Sequence, residues 1–174
     1  METSVSTTNV GLKYGLYTGL ALIVFDLLLY VVGMKDPADP SPIQYLGFVI
    51  FIIGVVMGIK YYKENNEGLM TYGQSLGSGT VTALVAGIVV AIYIILFFTV
   101  LDPGMIEEIR EAQRVAAMEA NPNMTDEQWE SAAGIMNAMT SPTAMGIMSI
   151  IIYIIIGFIT SLIAGAIMKN DQNV

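Results

Sequence analysis

Four continuous apolar runs, divided by short polar turns, organise this chain: Leu12 to Val32, Ile43 to Ile59, Leu76 to Leu101 and Thr143 to Met168. A helix needs roughly 20 apolar residues to cross about 30 Å of hydrocarbon. The first, third and fourth runs meet that length. The second is shorter and reaches it by recruiting Pro42 and the interfacial tyrosines near Tyr45 and Tyr61. The pattern predicts transmembrane helices over about 12–33, 43–60, 74–101 and 143–168. The first run has no basic leader and no small-x-small cleavage site, and it is too long for a signal-peptide core. It reads as an uncleaved first helix.

Between the third and fourth runs, over about 102–141, the apolar pattern becomes one-sided. Asp102-Pro103 has the form of an N-cap followed by proline at the first helical position. Glu107 and Glu108 then fall near the positive end of the helix dipole. The helical pattern lasts to about Ala120 and breaks at "NPN". Thr125 to Gln128, "TDEQ", is a capping-box sequence, and Trp129, Ala132, Ala133 and Met136 follow on one helical face. The expected fold is all-α: one membrane domain over 1–174, a four-transmembrane-helix bundle with an acidic extracytoplasmic helical hairpin between its third and fourth spans.

Composition agrees with lipid as the solvent. Of 174 residues, 55% are hydrophobic and 13% charged, with a mean hydropathy of +0.66; soluble domains carry about 25% charged residues. The absence of cysteine and histidine excludes disulfides, thiolate chemistry, imidazole bases and the usual zinc sites. A net charge of -8 argues against nucleic-acid binding. An even number of spans puts Lys13, Lys60, Lys63 and Lys169 on one side, and Lys35, Arg110 and Arg114 on an acidic opposite side. Lysine and arginine near helix ends favour the cytoplasm, so both termini are expected there.

Candidate chemistry is sparse. The spacing from Gly68 to Gly73 imitates a phosphate loop, but Gln74-Ser75 stands where lysine and serine or threonine are required, and no strand precedes it. No nucleotide is expected. The methionine pairs Met136/Met139 and Met145/Met148 could in principle hold soft Cu(I). Beside a bilayer they read as adaptable packing. The neighbouring acids Glu107/Glu108 and Asp126/Glu127 read as solvated surface charges, since consecutive helical residues diverge. No nucleophile, base and orienting group can be assembled, so neither an enzyme nor a cofactor is expected.

Asp26 is the exception. At 1.5 Å per residue it lies about 20 Å into the first span, where a charge costs about 2.5–3.5 kcal/mol on insertion scales. Gly11, Gly15, Gly19, Leu22, Asp26, Tyr30 and Gly33 form one helical stripe, and glycine stripes mark close helix approach. Asp26 therefore faces protein. Similar small-residue stripes run through Gly73, Gly77 and Gly87 in the third span and through Gly157 and Ser161 in the fourth. By depth, Tyr30, Tyr93 and Tyr153 are the expected partners of Asp26. No lysine or arginine lies inside any span, so a neutral carboxyl bonded to tyrosine and fixing helix register is expected. The competing readings are a proton- or cation-coupling site, or exposure to a water-filled vestibule.

The order "GIKYYKENNEGLMTYGQSLGSG" followed by a long apolar helix resembles the small four-helix bacterial membrane proteins of domain of unknown function 4199. The matching features are Gly58-Ile59-Lys60, Tyr62-Lys63-Glu64-Asn65, and Gly68 followed by an apolar pair and Tyr72-Gly73. The early "LKYGLYTGL" and the acidic segment after Asp102-Pro103 fit the same layout. The resemblance implies a bacterial inner-membrane location and brings no activity. Two functions remain. The first is a non-enzymatic subunit acting by helix association in the lipid bilayer, as a homo-oligomer or with an envelope-complex partner. The second is a small proton- or cation-coupled transporter or channel using Asp26.

Overall fold

A computed structural model describes residues 5–36 and 41–170 and is helical apart from one backbone bridge. The helices are α1 (Thr7–Val31), α2 (Leu46–Asn65), α3 (Tyr72–Leu96), α4 (Met105–Ala120), α5 (Asp126–Met139) and α6 (Pro142–Met168). A 3₁₀ turn, Pro42–Tyr45, leads into α2, and a π-helical turn, Phe97–Leu101, extends α3. With those turns included, α1, α2, α3 and α6 are each long and apolar enough to cross a membrane. Their outward faces are also apolar, with Leu16, Ile53, Ile92 and Ile155 all exposed. A helix hydrophobic on every side suits lipid.

Local chemistry sets most of the ends. Ser6, Thr71, Thr125 and Ser141 each accept a hydrogen bond from the backbone N–H three residues on, and Gln74 and Gln128 complete capping boxes at α3 and α5. Trp129, Ala132, Ala133 and Met136 share the half-buried face of α5, as their spacing predicts. The start of α4 differs from expectation. The Asp102 N–H donates to Phe97 O at 2.8 Å, closing the π turn, so Asp102 finishes α3. Helix α4 begins at Met105 instead, and Asp102 Oδ1 still accepts from its N–H at 3.2 Å.

Helix α3 is the axle of the bundle. On one side, Gly11, Gly15 and Gly19 of α1 meet Val81, Val85 and Val89 in the same order, so the two helices run parallel. On the other, Gly146, Gly157 and Gly165 of α6 meet Ala91, Ala83 and Ser75 in reverse order, so these run antiparallel. Phe51, Val55 and Ile59 of α2 close the core over Ala83 and Ala86, all fully buried. The lysine-rich ends gather together: Lys63 Nζ donates to Met168 O at 2.8 Å, Met70 and Asn170 pair through their backbones, and Lys13 lies over the Tyr61 ring at 4.9 Å.

The glycine stripes are spent inside the chain. A side chain at Gly15 would strike Val85 and the Thr82 carbonyl, and one at Gly79 or Gly157 would strike Ser161 or Ala83. Gly87 lies against the α6 backbone at Ile150, and Gly77 faces Thr7 at a looser 3.7 Å. Gly73, expected on the packing face of α3, is exposed; its near neighbour is its own cap, Thr71. It sits in the first turn, before α3 has reached its partners.

Candidate functional site

The far end of α1 builds the site. Its last turn closes with Gly33 N–H to Tyr30 O at 3.1 Å and Met34 N–H to Leu29 O at 2.8 Å. That pairing is the Schellman motif, which needs a left-handed residue just past the helix. Gly33 supplies it with φ +73°. The chain thereby turns back, and the Lys35 stem runs down α1 instead of outward.

Lys35 Nζ reaches Asp26 Oδ2 at 2.6 Å. The Tyr93 hydroxyl donates to the same oxygen at 2.5 Å. The ammonium also lies 3.7 Å from the centroid of the Phe97 ring, 5.6 Å from Phe98 and 5.8 Å from Tyr93. Cations within about 6 Å of an aromatic face are attracted by its quadrupole. Phe97 and Phe98 are both buried and both belong to the π-helical turn. Such turns occur frequently at functional sites.

This geometry replaces the expected neutral carboxyl with an ion pair. A count along the backbone places Lys35 outside the span, yet its flexible four-carbon stem returns the charge to Asp26. Tyr30, expected beside Asp26, instead donates to Asp102 Oδ2 at 3.1 Å and sets its ring edge-on to Phe97. It ties α1 to the end of α3. Tyr153 lines the same cavity and packs its ring on Phe51 at 4.6 Å.

The cavity holds about 300 Å³, bounded by Asp26, Lys35, Tyr93 and Tyr153, with Phe48 and Val90 among its apolar walls. The Asp26 and Lys35 side chains keep 34% and 18% of their surface exposed, so the protein covers the pair only in part. Among the described residues, no three His, Cys, Asp or Glu side chains come together as metal ligands would.

The return of Lys35 depends on Gly33, and that dependence can be measured. Gly33→Val puts a β-branched residue at positive φ, a strained position. It is expected to lower stability by about 1–2 kcal/mol and to make Lys35 more reactive to amine reagents. Nothing lies within 4 Å of where its Cβ would stand, so a crowding effect would not account for the loss. Unchanged Lys35 reactivity in the variant would show that the cap does not aim the side chain.

Comparison with known families adds one match: the model described as "Protein of unknown function (DUF4199)" covers residues 13–170. No curated protein and no solved structure matches the chain.

Proposed function

The chain belongs to the DUF4199 family, with the architecture of a multi-pass membrane protein, and from that premise we propose a small non-enzymatic carrier or channel in which Asp26 handles a proton or monovalent cation. One observation carries the reading: a span-embedded carboxylate in a cavity, balanced by an ammonium on a chain segment outside the helix. A proton or cation arriving at Asp26 would compete with Lys35, and a ligand that favours the Lys35-released arrangement would shift the protein toward it. In this reading the chain sits in the bacterial inner membrane with both termini cytoplasmic and α4 and α5 outside, which the lysines near one set of helix ends support.

The assembly reading loses its main support, since Gly15, Gly19, Gly87 and Gly157 fill contacts within one chain. It keeps one observation: Ile135 and Met139 stand 69% and 59% exposed on α5, outside the four long helices. A second copy or an envelope partner could dock there, which the mass of the complex released from native membrane would report.

Reconstituted into liposomes, the protein is expected to carry protons or a monovalent cation, and Asp26→Asn to slow that flux about 10-fold or more, the loss that follows about 1.4 kcal/mol of lost site stabilisation. Equal flux through wild type and a correctly folded Asp26→Asn protein would sink the proposal.

A further inference from the structure

We propose that the cavity beside Asp26 binds a small alkylammonium ion, and that Lys35 is the tethered stand-in for it. This rests on the cation-handling reading above and adds the chemical class of the cation.

The walls decide the class. Hard metal ions take six or more oxygen ligands, or water in their place. Among the described residues, the Lys35 ammonium pairs with the Asp26 carboxylate and lies against the faces of Phe97, Phe98 and Tyr93. A carboxylate set among aromatic faces suits a cation with apolar substituents, which carries little hydration to replace. The lysine terminus is itself an alkylammonium, so the occupant already present reports what the cage accepts.

Room for a free ligand is present as well. The cavity of about 300 Å³ lies at the small end of the ordinary range for ligand pockets. Among the described residues, the hydrogen bonds to Asp26 from Lys35 and Tyr93 arrive on Oδ2, and none arrives on Oδ1. Lys35 lies beyond the Gly33 turn, past the last residue of α1, so it can leave the cage without breaking a helical hydrogen bond. A tethered competitor acts at an effective concentration in the millimolar range. It would keep the site closed to dilute amines and yield to concentrated or better-fitting ones.

The test uses the full chain in lipid nanodiscs and tetramethylammonium chloride as probe. Lysines are reductively dimethylated with formaldehyde and borane, and each site's rate is read by mass spectrometry. Without the probe, Lys35 is expected to react about 10-fold more slowly than Lys60, whose side chain is 63% exposed, in line with a cage worth about 1.4 kcal/mol. Tetramethylammonium should accelerate Lys35 saturably, and sodium chloride at equal ionic strength should not. No acceleration, or equal acceleration by sodium, overturns the proposal.

Variants supply an independent measurement. Lys35→Met is expected to tighten tetramethylammonium binding about 10-fold, because the tethered competitor is gone. The double variant Lys35→Met/Asp26→Asn should lose that binding. Asp26-dependent flux without ammonium binding would leave the carrier reading standing and overturn this one. Ammonium binding without flux would do the reverse.

Discussion

Gly157→Leu is expected to destabilise the protein by about 3 kcal/mol or more, at the upper end of what overpacking a filled core costs. Even the first added atom has no place: a Cβ there overlaps the Cβ of Ala83, with Phe51 Cζ at 3.4 Å. Ala83 and Phe51 are both fully buried. Helix α3 cannot retreat from α6, because Gly11, Gly15 and Gly19 of α1 already bring a second backbone against its other side. The remaining atoms of leucine only enlarge the conflict.

Gly134→Leu is the matched comparison. It makes the same chemical change in helix α5, where nothing lies within 4 Å of the added Cβ. Leucine is a better helix former than glycine by about 0.8 kcal/mol, so that variant should be neutral or slightly stabilised. Thermal unfolding of both proteins in the same detergent separates packing from propensity. Similar midpoints would mean that α3 and α6 do not meet through Gly157 and Ala83.

The four long helices were legible because run length alone signals a membrane span, and the capping sequences at Thr71 and Thr125 act through neighbours three residues away. A glycine stripe pointed Asp26 at protein, and a depth count put Tyr93 among three tyrosines near it, of which Tyr93 is the one that bonds it. Lys35 did not follow, because depth was counted on backbone positions while the charge sits at the end of a long stem. Gly33 two residues earlier carried a usable signal, being a glycine just past an apolar run and hence a candidate left-handed cap. Nothing comparable announces the π turn. A 3.6-residue period extends through Phe97 and Phe98 unbroken, although the turn ends at Asp102, which Tyr30 of α1 bonds across the bundle. The glycines showed close approach but not which helix approaches, and for Gly15 and Gly19 the answer lies within the same chain.

Lys35→Met is expected to cost about 2 kcal/mol, below the 3–5 kcal/mol for breaking a fully buried pair, because the Asp26 side chain is only partly buried within the chain. The methionine keeps the stem and its contact with Phe97 but leaves the carboxylate with one hydroxyl partner, Tyr93. Asp26→Asn strands the lysine charge in turn, though Lys35 can swing out past Gly33 to water, so its cost should be smaller. Removing both charges should recover about 1–2 kcal/mol relative to the sum of the single changes, the coupling typical of groups in direct contact. The four proteins are compared by chemical or thermal unfolding in one detergent at one ionic strength. Strict additivity would mean that Lys35 and Asp26 do not share a bond in the folded state. A double variant more stable than wild type would instead mean that the pair costs stability on balance, leaving its retention to function. For a carboxylate held inside a membrane span, that second outcome would argue for the binding site more strongly than a simple loss.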